Sequence, residues 1–94
     1  MRIVNIDRDM DAANMEAMKP LFEELARSEI DVRLDLRGVD FIDSSGIGGI
    51  VFVLKRLREN SRNITLANVH GQPLRLLQHL RLEFLLAAPD GQPG

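Results

Sequence analysis

Residues 32–57 leave the chain few folds to choose from. Val32, Leu34 and Leu36 alternate with Arg33, Asp35 and Arg37, the period-two pattern of a strand with one buried face. Ile47, Ile50, Val51, Leu54 and Leu57 then recur at helical spacing. Between the two lies Phe41-Ile42-Asp43-Ser44-Ser45-Gly46-Ile47-Gly48, a polar turn with a carboxylate, two hydroxyls and glycine at a helix entrance. Such an entrance carries unpaired backbone N–H groups and the positive end of the helix dipole, so it suits a phosphate. A serine placed there serves as a cap, as a phosphate acceptor, or as both.

Composition narrows the function classes. Ninety-four residues make one domain with a modest core. At 45% apolar and 28% charged residues, the chain reads as globular rather than disordered. No apolar run approaches the ~20 residues of a membrane span, and Lys55 ends the longest, so no membrane insertion is expected. Arg2, Asp7, Arg8 and Asp9 interrupt any cleavable signal at once, which sets a cytoplasmic expectation. Cysteine is absent, so disulfides and thiolate metal sites play no part. The net charge of −2 divides unevenly: residues 1–43 carry 11 acids against 6 bases, and residues 44–94 carry 3 acids against 6 bases. A gradient of this kind orients a protein partner. It lacks the dense basic stripe and stacking aromatics of a nucleic-acid surface, so no direct nucleic-acid binding is expected.

Along the chain, Met1–Asp7 reads as a short strand, and Asp9 or Asp11 caps the helix that follows. That helix puts Met15, Met18, Leu21, Phe22 and Leu25 on one side, with Pro20 as its anomaly. The helix is expected to bend at Pro20, the alternative being that its regular part begins near Lys19. The strand Asp31–Leu36, the polar turn and a helix from about Ser45 to Glu59 come next. Asn63–Ala67 is a strand with Ile64 and Leu66 inward, Pro73 opens a third helix, and Glu83–Leu86 is a brief last strand. Residues 1–88 form the domain, and 89–94, with Pro89, Gly91, Pro93 and Gly94, a flexible tail. Strands alternating with helices predict an α/β domain with a largely parallel sheet. Sites in such sheets lie beyond the carboxyl ends of strands, which is where the Asp43–Gly46 turn falls.

Leu34-Asp35-Leu36 followed by Val39-Asp40-Phe41-Ile42-Asp43-Ser44-Ser45-Gly46-Ile47-Gly48 resembles the signature of STAS domains, specifically bacterial anti-sigma factor antagonists. The resemblance implies a mixed sheet of four or five strands with helices mainly on one face. It also implies a partner switch. The unmodified domain binds an anti-sigma factor that is a serine kinase, the kinase phosphorylates the serine after the motif aspartate, and a PP2C-type phosphatase restores it. By motif position that serine is Ser44. Three positions depart from the family pattern. Few residues precede the first helix, so an N-terminal strand is missing and an open sheet edge offers a homodimer surface. Arg8 and Arg81 stand where turn glycines are common, so the local geometry there is expected to differ.

A phosphoryl group adds roughly −1.5 to −2 charges at neutral pH. Beside Asp43, within a contact surface, it would repel a partner without unfolding the domain. The candidate partner surface is Asp43, Ser44, Ser45, Gly46, Ile47, Gly48 and Phe52, with Val53 extending it; Gly46 and Gly48 would let a partner backbone approach closely. The plain alternatives are that Ser44 or Asp43 is only a helix cap. Asp35 reads as solvated or turn-bonded. His70 and His79 have no ligand partners at metal spacing, and the basic group Lys55, Arg56, Arg58 and Arg62 reads as a solvated helix face. Ser44 lacks a nucleophile elbow, and no Gly-rich Lys-Ser/Thr loop is present, so neither catalysis nor a cofactor is expected. The competing reading is a STAS adaptor, or a subunit of a lipid-transport ATPase complex or other signalling assembly, that does not act on a sigma factor.

Overall fold

The computed structural model describes residues 1–88. Strands β1 (Arg2–Asn5), β2 (Val32–Asp35) and β3 (Ile64–Ala67) form one parallel sheet in that order. Parallel neighbours need long crossovers. Helices α1 (Ala12–Ala17) and α2 (Lys19–Ala26) make the first crossover, and α3 (Ser44–Glu59) the second. Helix α4 (Gly71–His79) and a short 3-10 turn at Glu83–Leu85 follow β3.

The pairing register explains which face is covered. Val4, Leu34 and Leu66 stand side by side, as do Val32 and Ile64, and these rows carry the sheet's share of the core. The intervening row of Ile3, Arg33 and Thr65 points the other way and stays partly open, with Ile3 61% exposed and Arg33 Nε donating to Thr65 Oγ1 at 3.1 Å. Helices therefore pack on one face. Phe22 and Leu25 of α2, Ile50, Val53 and Leu57 of α3, and Leu77 of α4 complete the core. Among the described residues no polar or charged residue is buried.

The architecture is the α/β fold anticipated, with differences in detail. Three strands replace the expected four or five, all parallel, supplemented by single bridges from Met10 to Ile42 and from Leu66 to Leu86. Glu83–Leu86 is not a strand. Leu85 and Leu86 donate back to Leu82 and Glu83, the turn buries Leu85, and the segment then touches β3 through Leu86 and Ala87. The first helical segment is two helices rather than one bent helix. Met18 separates them with φ −90° and ψ 2°, and Pro20 falls in the first turn of α2, where its missing N–H has no partner to lose. Asp11 caps α1 by accepting from Asn14 N–H at 2.9 Å.

Arg81 overturns one expectation. It adopts the left-handed conformation, φ 59°, that a glycine would take more readily. Its N–H donates to Gln78 O at 3.1 Å and Leu82 N–H donates to Leu77 O at 2.8 Å, the paired bonds of a Schellman terminus for α4. The two bonds hold the glycine geometry despite the side chain. Ser61, also at φ 59°, ends α3 the same way through Arg58 and Leu57. Arg8 is not left-handed. The expected tail, 89–94, lies outside the described residues.

Candidate functional site

The Asp43–Gly48 turn leaves the sheet after β2 and opens α3, and three polar side chains hold its backbone. Asp9 Oδ1 accepts from the N–H groups of Asp40 and Phe41 at 3.0 and 3.1 Å. Gln72, from α4, accepts from Ile42 N–H through Oε1 and donates to Ile42 O through Nε2, both at 2.9 Å. Asp43 uses both carboxylate oxygens. Oδ1 accepts from Ser45 and Gly46 N–H at 2.8 and 3.2 Å, and Oδ2 accepts from Ala12 N–H at 3.1 Å. Main-chain bonds tie the same two loops together, Met10 N–H to Phe41 O at 2.9 Å and Asp43 N–H to Met10 O at 3.2 Å. The turn is held from the loop before α1, from α4 and from within.

Asp43 is therefore the cap of α3, and Ser44 is not. Ser44 and Ser45 are exposed in the first turn of the helix. Among the described residues the Ser44 hydroxyl enters no hydrogen bond, so it is an accessible oxygen on a braced backbone.

The other expected contact residues divide. Gly48 is exposed, with open space where a Cβ would stand. Phe52 is 39% exposed, with the Arg56 guanidinium 5.4 Å from its ring centroid. Ile47 is half-buried. Gly46 is buried: a Cβ there would stand 2.5 Å from Met10 O and 2.8 Å from Ile42 Cγ2. Its glycine serves the approach of α3 to the Met10 loop, not the approach of a partner. Val53 is fully buried, so it belongs to the core and not to the surface.

Sequence reasoning placed Phe41 in the motif but not among the contact residues, and it is 45% exposed at the turn. An exposed aromatic beside buried Val39 and Ile42 is the signal it left. Asp9 and Gln72 were also missed as loop braces, because their partners lie about thirty residues away in the chain.

The electrostatics at this end are acidic. Asp9, Asp11, Asp40 and Asp43 all belong to the two bonded loops. Asp35, at the end of β2, accepts from Arg37 N–H at 3.0 Å and Asn68 Nδ2 at 3.0 Å. The backbone bond from Arg37, then the Asn68 amide, hold its carboxyl below the usual range. It is turn-bonded. His70 is exposed, with Nε2 2.9 Å from Arg37 O, and His79 is exposed. No cluster of three His, Asp or Glu among the described residues has metal-binding geometry. No helix among them is long and apolar enough to cross a membrane.

A small parallel α/β domain with a braced Asp-Ser-Ser-Gly turn at the entrance of its longest helix defines a class of protein. The profile of the STAS domain matches residues 1–90, and the chain belongs to that family. It is similar to the anti-sigma-B factor antagonist of Bacillus subtilis (strain 168), with 27% identity over 73 residues, 78% of this chain and 67% of the relative. Two solved structures share the fold. One is a protein from Thermotoga maritima provisionally described as an anti-sigma factor antagonist, with a TM-score of 0.75 and 24% identity over 89% of this chain and 75% of that one. The other is a sulfate transporter family protein from Wolinella succinogenes, with a TM-score of 0.71 and 15% identity over 92% of this chain and 70% of that one.

Proposed function

We propose that the chain is an anti-sigma factor antagonist, a non-catalytic partner switch that binds an anti-sigma serine kinase when Ser44 is unmodified and releases it when Ser44 is phosphorylated. The observation that carries this reading is the contrast between neighbours: Asp43 spends its carboxylate on three backbone N–H groups, while the Ser44 hydroxyl is exposed. The similarity to the Bacillus antagonist supports it.

The same geometry supports release by charge rather than by unfolding. The N–H groups of Ser45 and Gly46, which a phosphate would otherwise seek, already bond Asp43. A phosphoryl group on Ser44 therefore adds charge to an acidic surface and leaves the cap in place. A partner that fits the neutral hydroxyl meets roughly −1.5 to −2 new charges. Like-charge and desolvation terms at an interface reach several kcal/mol, enough to dissociate a micromolar complex. Phe41, Gly48 and Phe52 supply the exposed apolar part of the contact. A PP2C-type phosphatase resets the switch.

The test is to incubate the chain with its anti-sigma serine kinase and ATP, then map the product by mass spectrometry. Phosphate on Ser44, absent from Ser44→Ala, supports the reading. Modification elsewhere, or none, overturns it. The outer side of β1 pairs with no strand among the described residues, which supports self-association through that edge. Light scattering at high concentration tests this, and a strict monomer counts against it.

A further inference from the structure

Beside the switch turn, a groove of about 620 Å³ runs between the α1–α2 pair and α3. Its floor is apolar: Met15, Phe22, Gly49 and Phe52. Gly49 makes the floor, because a Cβ there would lie 2.4 Å from the Met15 methyl and 3.4 Å from the Phe22 ring. Met15 is a flexible thioether that can yield to an occupant. One end opens at Ala12 and Ser45. The other ends at Arg27 and Arg56, which also line a second, more polar groove with Glu29, Glu59 and Arg62. Arg56 leans on Phe52, and neither Arg27 nor Arg56 has a carboxylate within ion-pair distance among the described residues, where Arg2–Glu24 is the one salt bridge. Glu16, Lys19 and Glu23 stand on the α1–α2 rim and give it one net negative charge, whereas Arg27 and Arg56 gather two positive charges at the far end, so the negative end of an occupant belongs at the arginines.

We propose that this groove binds a soluble single-chain anionic amphiphile, a medium-chain carboxylate, with its head at Arg27 and Arg56 and its chain over Phe52, Gly49 and Phe22 toward Ser45. The volume falls in the range of small-molecule sites, about 300–1,000 Å³. From Ser45 to Arg56, eleven residues of helix span about 16 Å, which suits an acyl chain of medium length. The proposal does not rest on the partner-switch reading, although its occupant would reach the face that carries Ser45.

The experiment is titration calorimetry and amide-resolved NMR with octanoate, decanoate and dodecanoate, each below its micelle concentration. The controls are a neutral dodecyl glycoside, dodecyltrimethylammonium, anionic phospholipid vesicles and an acidic amphipathic peptide. Affinity should rise with chain length, by up to roughly fourfold per methylene buried. Amide shifts should centre on Ala12, Gly49 and Phe52. The double variant R27E/R56E, shown folded by its melt, should bind dodecanoate at least about tenfold more weakly, as expected when two charge partners become repulsive. Its affinity for the neutral glycoside should stay within about twofold, because those contacts are apolar. Equal affinity for the cationic detergent overturns the proposal, as does an affinity independent of chain length. Binding only to vesicles, or only to the peptide, would show that the groove is a macromolecular surface and also overturns it.

Discussion

Gln72 grips Ile42 by both ends of its backbone, accepting from its N–H and donating to its C=O, each at 2.9 Å. A side chain on α4 thus completes hydrogen bonds that a neighbouring strand would otherwise make, two residues before Ser44.

That clamp has a measurable strength. Leaving partly buried backbone groups unpaired costs about 1–3 kcal/mol. Gln72→Ala should lower unfolding free energy by about that amount in urea titrations. Gln72→Glu keeps an acceptor for Ile42 N–H but loses the donor to its carbonyl, and should fall between the two. Equal stability of all three proteins would contradict the clamp.

Two glycines two residues apart should respond in opposite senses. Gly46→Ala forces a methyl against Met10 O, a backbone atom, and should cost about 1–3 kcal/mol. Gly48→Ala adds a methyl in open space on an exposed helix and should stabilise by roughly 0.5–1 kcal/mol. Thermal melts of the pair check both signs.

Arg81 offers an improvement the fold has not taken. Arg81→Gly relieves a left-handed arginine while keeping the two bonds of the helix terminus. Against the added unfolded-state entropy, the net gain should be about 0.5–1 kcal/mol, a rise of several degrees in melting temperature for a domain of this size. A fall in melting temperature would contradict the reading of this terminus.

Acid should weaken the end of β2. The folded Asp35 carboxyl titrates below its unfolded value, so its stabilisation is present above about pH 4 and is lost as pH falls through the folded pKa. Wild type should exceed Asp35→Asn in stability at pH 7, and the gap should narrow by pH 3. A gap that is constant with pH would locate the effect in packing rather than in charge.

Much of this molecule was legible as sequence because period-two and helical patterns report burial directly. Ile64 and Leu66 face inward, and Ser44 and Ser45 lie exposed where the Asp-Ser-Ser-Gly turn opens α3. Contacts between distant segments were not legible. Nothing in the spacing of Asp9 or Gln72 announces bonds to residues 40–42, and nothing in Gly46 shows the Met10 carbonyl against it. Val53 looked peripheral on its own helix because the core wraps more of α3 than a single stripe. Arg81 looked incompatible with a left-handed turn because propensity prices a residue alone, whereas two helix-end hydrogen bonds decide its conformation.

The most direct measurement is the affinity of the proposed partner, an anti-sigma serine kinase, for the unmodified chain and for the chain phosphorylated on Ser44, with melting temperatures of both. The account predicts a loss of at least about 100-fold, from like-charge repulsion at the contact, with the fold intact. Equal affinities would contradict it, and so would a phosphorylated chain that releases its partner only because it has unfolded.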